Sequence, residues 1–215
     1  MTYIDKFLLQ VRKTPGAVAV RDEHRELTYS QLDQKTASLA KYLYDHGFKA
    51  GDVVGVLVPR TLDVVVASLG VMRAGGVYMP MDMSYPQERL KYMREDSGCQ
   101  IVLEERDLEV FDSSDGSDTL TSNLSALTSP AFLLYTSGTT GKPKGVLHSH
   151  RSLLALIEQK HQSPLDATGV VAGFTFIASV HMMFPPLLVG GFCDIVPDSA
   201  KADVARVLHY YQSGK

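Results

Sequence analysis

The chain alternates short apolar runs with longer segments of helical periodicity, and this alternation limits the folds open to it. The run "VVGVLV", residues 53–58, has no polar residue, which is typical of a strand buried on both faces. The other strand-like runs are 18–20, 77–79, "IVLEE" at 101–105, "AFLLY" at 131–135, "GVLHS" at 145–149, "VVAGF" at 170–174 and "FCDIV" at 192–196. Strands that alternate with helices predict an α/β fold of mainly parallel sheets covered by helices.

The helical segments carry recognisable start and stop signals. Thr28 and Gln31 have capping-box spacing at the start of a helix that ends at Gly47, where a left-handed cap is expected. A second helix over 61–74 stops at the Gly75-Gly76 pair, and Ser84 is expected to cap a third, with Pro86 in its first turn. Further helices are predicted from about Arg151, over Ser179 to Leu188, and over Asp203 to Tyr211.

Composition narrows the class of protein. The 215 residues are 45% hydrophobic and 21% charged, with a formal net charge of −3, so neither nucleic acid nor a membrane surface is an expected partner. The same charge makes a small-molecule substrate the easier expectation. Only two cysteines, an N-terminus unlike a signal peptide and the lack of a long apolar stretch predict a cytoplasmic protein. The Ser-, Thr- and Asp-rich residues 112–130 predict a surface loop.

The segment "TSGTTGKPKG", residues 136–145, is called the glycine-rich loop below. Gly138, Gly141 and Gly145 allow positive φ, so that backbone N–H groups could converge on one point. The hydroxyls and the two lysines, Lys142 and Lys144, add donors and positive charge. This combination suits a polyanion such as a triphosphate.

A solvated surface hairpin is the alternative interpretation, because glycine, serine and threonine are common in turns. Hairpin loops usually have about 2–5 residues, and this polar stretch is longer. The loop is not a Walker A motif, since Pro143 stands where that motif has Ser or Thr, and a Rossmann G-x-G-x-x-G is also missing.

The histidine pair His148 and His150 could suggest a metal site, but no third ligand lies at a suitable spacing in the sequence. We therefore predict no metal site, and expect this pair to end a strand and enter the next helix. Cys99 and Cys193 are interpreted as small core residues, and Arg89 as a helix-surface or ion-pair residue.

Four stretches resemble the acyl-adenylate-forming (AMP-binding) superfamily. "LLYTSGTTGKPKGV" is similar to its phosphate-loop signature, and "LTYSQLDQKTASLAKYL" to a helix near the N-terminus of adenylation domains. "VMRAGGVYMPMDMSYPQERLKYMREDSG" resembles the K-A-G-x-A-Y and P-x-E-R pattern, and "SVHMMFPPLLVGG" the segment that follows the loop. The resemblance covers nearly the whole chain, in the order of the superfamily, and favours nonribosomal peptide synthetase adenylation domains.

The resemblance implies ATP-dependent activation of a small carboxylic acid as an acyl-adenylate, with Mg²⁺ beside the phosphates. The expected ATP-phosphate ligands are Thr136, Ser137, Gly138, Thr139, Thr140 and Gly141. Lys144 is the expected catalytic lysine, whereas Lys142 is expected to be solvated. The acyl group would then pass to phosphopantetheine on a carrier-protein domain outside this chain.

The resemblance also implies an acid pocket. In domains for α-amino acids, an aspartate follows the phenylalanine of F-D-x-S-V and pairs with the substrate ammonium, whereas "FIASVHMMF" places Ile177 there. Ala178 and His181 fall at the next pocket-lining positions. Because a buried ammonium without a counter-charge is costly, the substrate is expected to be an α-keto, α-hydroxy or aryl acid, or an amino acid whose amine lies elsewhere. A core isoleucine and a misregistered alignment are the alternative for Ile177, and a core histidine is the alternative for His181.

The later motifs of the superfamily, including its C-terminal lid, do not occur between residues 1 and 215. The chain is therefore expected to be part of the N-terminal subdomain and to be inactive by itself. A fragment of an acyl-CoA synthetase and a non-catalytic remnant remain the alternatives.

Overall fold

A computed structural model describes residues 1–109, 127–137, 142–160, 167–201 and 203–212. The strands are β1 (Val18–Arg21), β2 (Glu26–Thr28), β3 (Val53–Leu57), β4 (Val77–Pro80), β5 (Ile101–Glu104), β6 (Pro130–Thr136), β7 (Lys144–Ser149), β8 (Ala167–Val170) and β9 (Phe192–Ile195). The helices are α1 (Tyr3–Lys13), α2 (Tyr29–Asp45), α3 (Asp63–Arg73), α4 (Gln87–Ser97), α5 (Glu105–Glu109), α6 (His150–Lys160), α7 (Ile177–Met183), α8 (Asp198–Lys201) and α9 (Val204–Gln212). A short 3₁₀ helix, Pro186–Leu188, precedes β9.

Within the described residues the strands form two sheets. The first has the order β5-β3-β4-β6-β7 and the second the order β2-β1-β9-β8. All pairs are parallel except β1–β2 and β6–β7. The α/β fold with mainly parallel sheets covered by helices is therefore confirmed.

Helices α2 and α3 lie between the two sheets. Helix α2 contacts β1 and β2 of the second sheet, whereas α3 packs against β3 and β4 of the first. The two helices approach closely at Gly70, where an added Cβ would lie 2.5 Å from Leu39 Cδ2. The outer face of the first sheet is covered by α4, through Leu90 and Met93.

Several helix ends are formed by the capping residues that the sequence predicted. The Thr28 side chain accepts from the Gln31 N–H, and the Gln31 side chain accepts from the Thr28 N–H, so the capping box of α2 is confirmed. Gly47 has φ of 84° and Gly75 has φ of 82°. Helix α1, which the sequence pattern did not lead us to predict, begins with the same kind of capping box, formed by Thr2 and Asp5.

The third predicted helix and the strand near Val170 are present as α4 and β8, but their predicted starts or bounds are wrong. Ser84 does not cap α4, because its N–H and hydroxyl both donate to Asp82 Oδ1, at 2.8 and 2.7 Å, and the helix begins only after Pro86. The predicted strand over 170–174 is also wrong, since β8 ends at Val170.

Three further predictions concern the cysteines, the loop over 112–130 and membrane-spanning helices. Cys99 and Cys193 are buried free cysteines, as expected. Of the predicted surface loop 112–130, residues 112–126 lie outside the described residues, and Pro130 already belongs to β6. None of the helices in the described part of the chain combines the length and hydrophobicity that crossing a bilayer requires.

Candidate functional site

The start of the glycine-rich loop lies at one edge of the first sheet. Strands β3, β4 and β6 are parallel neighbours, so their carboxyl ends share an edge, and the glycine-rich loop follows β6 there. Ligands of open α/β sheets usually bind outside the carboxyl ends of the strands. A ligand site is therefore expected at this edge of the first sheet.

The ends of the glycine-rich loop form an antiparallel hairpin. Thr136 pairs with Lys144 as the last pair of the β6–β7 ladder, and the Thr136 hydroxyl donates to the Lys144 carbonyl oxygen over 3.4 Å. Thr136, Ser137, Lys142 and Lys144 are all exposed. The alternative of a hairpin is thus correct as topology, and the exposed hydroxyl and ammonium groups fit an anion such as the ATP phosphates.

The alternation of side chains along β6 shows which face of the first sheet the side chains at this end of the hairpin lie on. Phe132 and Leu134 belong to the core that both sheets share, whereas Leu133 and Tyr135 belong to the cluster beneath α4. Thr136 continues the first set, because side chains two apart lie on one face of a strand. Directly paired residues also share a face, so Thr136 and Lys144 lie on the face that looks toward the second sheet.

The predicted ligands Gly138, Thr139, Thr140 and Gly141 lie outside the described residues. The expectation of positive φ is wrong for Gly145, which is an extended residue of β7. An added Cβ at Gly145 would lie 3.1 Å from Leu133 Cδ1 and 3.2 Å from Tyr135 Cζ. Glycine here allows close packing over a neighbouring strand.

The strand before the loop is fixed to α4. The Tyr135 hydroxyl donates to Asp96 Oδ2 at 2.7 Å. Burial, together with the Asp96 carboxylate, raises the pKa of Tyr135 well above its ordinary value, so the phenol remains a donor. This bond holds the last buried residue of β6, directly before the exposed Thr136.

Segment 171–178 contains two of the predicted acid-pocket residues and leads from β8 into α7. Ile177 is 38% exposed, which is not a core position, and Ala178 is also exposed. His181 is half-buried one turn later. The buried Ser179 hydroxyl contacts the Phe176 carbonyl at 2.8 Å and thus braces the turn at the start of the helix.

Sequence reasoning missed Arg60, which links the two sheets at this edge. Its guanidinium donates to three backbone oxygens at or just beyond the ends of β8 and β9, namely Val196 O at 2.6 Å, Ala172 O at 2.9 Å and Val170 O. The side chain is only 6% exposed, and burial lowers its pKa, an effect opposed by Asp198 at 3.9 Å. The available signal was a charged residue placed shortly after a buried strand, three positions beyond the end of β3.

Tyr85 makes a second link that sequence reasoning missed. Its hydroxyl donates to Thr175 Oγ1 at 3.0 Å. The Arg89 guanidinium lies over the Tyr85 ring, 3.9 Å from its centroid. Arg89 was predicted to be a surface or ion-pair residue, and this ring contact is what the structure gives it. Tyr85 and Arg60 thus hold segment 171–178 from the first sheet.

Of two cavities lined by described residues, one borders the site and the other does not. A small cavity of about 110 Å³ lies between the sheets. It is lined by Arg60 and by Gly173, Phe174 and Thr175 of segment 171–178. A larger groove of about 590 Å³ runs between α4 and the β3–β5 edge. Among the described residues, none of the predicted site residues lines that groove, so we assign it no role in the proposed chemistry.

The histidine pair divides between two elements, as predicted. His148 lies in β7 with its ring stacked on Phe132, 4.5 Å between centroids, and His150 is the first residue of α6. Across the described residues, His, Cys, Asp and Glu side chains form no group of three able to hold a metal ion.

Comparison with known sequences identifies the family. The sequence profile described as "AMP-binding enzyme" matches residues 7–215. The chain is 38% identical over 216 residues to gramicidin S synthase 2 of Brevibacillus brevis, a match that covers 92% of this chain and 5% of that protein. It is 36% identical over 205 residues to bacitracin synthase 3 of Bacillus licheniformis, covering 88% and 3%. The chain thus spans a small fraction of the length of these curated relatives.

Solved structures agree on the fold. The N-terminal subdomain of Klebsiella oxytoca NpsA, in complex with 3-hydroxyanthranilyl-AMSN, matches with a TM-score of 0.86 and 25% identity, covering 99% of this chain and 57% of that one. The nonribosomal peptide synthetase FmoA3 matches with a TM-score of 0.77 and 30% identity, covering 92% of this chain and 23% of the other. The chain therefore belongs to the AMP-binding enzyme family, and within it to the part of the N-terminal subdomain that nonribosomal peptide synthetase adenylation domains share.

Proposed function

We propose that the chain supplies the ATP-phosphate loop and part of the acid pocket of an enzyme that activates a carboxylic acid as its acyl-adenylate. The observation that carries the proposal is the common face of Thr136 and Lys144. Their side chains lie on the side of the first sheet that looks toward the second sheet, and segment 171–178 follows directly on β8, a strand of that second sheet. Phosphate donors and pocket wall would then face one space.

In the proposed reaction a substrate carboxylate oxygen attacks the α-phosphorus of ATP, the bond to the β-phosphate oxygen breaks, and pyrophosphate leaves. The chain's contribution is to position the nucleotide and to offset its charge. Thr136 and Ser137, with Gly138, Thr139, Thr140 and Gly141, would donate to the phosphates, and the Lys144 ammonium would neutralise negative charge. Mg²⁺, when bound, would supply further charge neutralisation at the same phosphates.

For the acid, we propose a substrate other than an ordinary α-amino acid. Ile177 offers no carboxylate to an ammonium, and its 38% exposure is compatible with a pocket wall. An aryl acid is the candidate that a relative supports, since the NpsA subdomain was solved with 3-hydroxyanthranilyl-AMSN. FmoA3, by contrast, was solved with α-methyl-L-serine-AMP, an amino-acid adenylate.

The acceptor of the acyl group is proposed to be the phosphopantetheine thiol of a carrier domain. The synthetase relatives, and a structure of NpsA artificially fused to the carrier protein ThdA, support this acceptor over free CoA. Acyl transfer to a carrier domain and acyl transfer to CoA are distinguished by offering both thiols to the complete enzyme.

The test is acid-dependent exchange of pyrophosphate into ATP, with aryl, α-hydroxy, α-keto and α-amino acids, on residues 1–215 and on the complete enzyme that contains them. We expect exchange only in the complete enzyme, with an acid that lacks an α-ammonium. Exchange by residues 1–215 alone would contradict the expected inactivity of this chain. Lack of exchange in both would instead favour a non-catalytic remnant.

A further inference from the structure

We propose that Arg60 and Tyr85 are positioning residues that hold segment 171–178, and with it the acid pocket, against the sheet that carries the glycine-rich loop. The inference rests on the proposed function, because it assigns that segment to the acid. Neither residue is proposed to touch ATP or the reacting atoms.

Arg60 is suited to this task by the geometry of its bonds. Three of its N–H groups reach carbonyl oxygens at the end of β8, in the following turn and after β9, namely Val170, Ala172 and Val196. The guanidinium carbon also lies 4.7 Å from the centroid of the Phe174 ring. A guanidinium has five donors in a fixed fork, whereas a lysine ammonium acts from one point and cannot match three diverging carbonyls. Arg60 therefore fixes both the end of β8 and the first half of the segment.

Tyr85 holds the second half of the same segment. Its hydroxyl bonds to Thr175 at 3.0 Å, two residues before Ile177. Tyr85 follows β4 and Arg60 follows β3, so both supports come from the first sheet. The segment is thus attached at two points to the sheet whose neighbouring strand, β6, leads into the glycine-rich loop.

The consequence is specific to the acid. The described side-chain hydrogen bonds of Arg60 and Tyr85 go to Val170, Ala172, Thr175 and Val196, and none goes to the glycine-rich loop residues Thr136, Ser137, Lys142 or Lys144. Loosening them shifts the pocket wall relative to the phosphates but leaves the hairpin of β6 and β7 in place. Misplacement by about 1 Å can cost on the order of 100-fold in rate. The apparent affinity for the acid should therefore change while the affinity for ATP does not.

A buried arginine elsewhere provides a matched control. Arg73 is as buried as Arg60, with a side chain 4% exposed, and it joins α3 to Asp33 and Thr36 of α2. It makes no described contact with segment 171–178. Arg73→Lys should therefore lower the melting temperature without changing either KM of the folded enzyme.

The experiment measures KM for acid and for ATP by pyrophosphate exchange in the complete enzyme. For Arg60→Lys we expect the acid KM to rise at least about tenfold and the ATP KM to change less than about twofold. Tyr85→Phe, which keeps the ring against Arg89, should change the acid KM in the same direction by a smaller factor. If Arg60→Lys does not fold, Tyr85→Phe decides the question.

Two outcomes would overturn the inference while the proposed function stands. One is equal changes in both KM values, or none, in an active Arg60→Lys or Tyr85→Phe enzyme. The other is the same acid-specific change in Arg73→Lys, which would mean that any lost buried arginine has this effect. A wild-type enzyme without acid-dependent exchange would instead overturn the proposed function, and the inference with it.

Discussion

Thr136 and Lys144 are partners across the last pair of the β6–β7 ladder, with the Thr136 hydroxyl 3.4 Å from the Lys144 carbonyl oxygen. The pairing places the hydroxyl and the ammonium on one face of the first sheet. Lys142 lies beyond the ladder, where no strand pairing fixes its direction. The two lysines of the loop therefore differ in how firmly the backbone aims them.

The first prediction compares these lysines in the complete enzyme. Lys144→Ala should lower the rate of adenylate formation by about 100-fold or more, as expected for a group that stabilises transition-state charge. Lys142→Ala should change it by less than about threefold, in line with a solvated charge. Pre-steady-state formation of adenylate is the measurement, and equal losses in the two variants would refute the assignment of Lys144.

The second prediction concerns the support of β6 by α4. Tyr135→Phe removes the 2.7 Å bond to Asp96 and should lower the free energy of unfolding by about 1.5 kcal/mol, the low end for a bond to a charged group, because Asp96 is exposed. Tyr92→Phe is the matched control, since the Tyr92 hydroxyl reaches the other oxygen of Asp96 at 3.3 Å on the exposed side. It should cost less than about 0.5 kcal/mol. Urea unfolding of residues 1–215 measures both, and equal effects would show that burial of the Tyr135 bond is unimportant.

Local chemistry explains what could be predicted from sequence. The capping box of Thr28 and Gln31, the left-handed glycines at 47 and 75, and the apolar run of β3 each act through residues near in the chain. Such signals depend little on the rest of the fold. The order of motifs along the chain identified the family for the same reason, because it too is read locally.

Long-range contacts explain what could not be predicted. Arg60 looks like an ordinary charged residue until β8 and β9 bring their carbonyl oxygens to it from more than 100 residues away. Ser84 is a residue type that often caps helices, but here its N–H donates to Asp82, and α4 begins only after Pro86. The exposure of Ile177 likewise depends on how α7 packs, which the sequence alone does not state.

The third prediction concerns pH. His150 is 1% exposed, and within the described residues neither ring nitrogen has a hydrogen-bond partner. Burial lowers its pKa, so the unfolded chain binds the proton more readily than the folded chain does. Its contribution to stability is therefore complete above the ordinary histidine pKa of about 6.5 and is lost as the pH falls below it.

His150→Phe should flatten this loss, which for a single proton cannot exceed about 1.4 kcal/mol per pH unit. His24→Phe is the control, because the His24 side chain is 76% exposed. Unfolding free energies measured between pH 7.5 and 5.5 should diverge for His150→Phe and run parallel to wild type for His24→Phe. Parallel curves for both variants would show that His150 is not a source of the acid sensitivity.

The fourth prediction concerns the contact between α2 and α3. An alanine at Gly70 would place its Cβ 2.5 Å from Leu39 Cδ2 and 3.0 Å from Leu39 Cβ, so the helices must separate. Overpacking of this kind costs about 1–3 kcal/mol. Gly16→Ala is the control, since an added Cβ there meets nothing within 4 Å. Thermal unfolding should show a lower melting temperature only for Gly70→Ala, and an unchanged value would mean that the helices pack less closely in solution.

The last prediction concerns selectivity. In the complete enzyme, Ile177→Asp places a carboxylate at the position that the superfamily uses for the substrate ammonium, so it should improve the ratio of kcat/KM for α-amino acids over acids without an amine. A new ion pair of about 1.4 kcal/mol would raise this ratio tenfold. Val189→Asp adds the same charge at another exposed apolar position, 51% exposed and outside segment 171–178, and should leave the ratio unchanged. If both variants leave the ratio as it is, Ile177 does not face the acid; if both raise it equally, the effect is one of net charge and the pocket assignment loses its support.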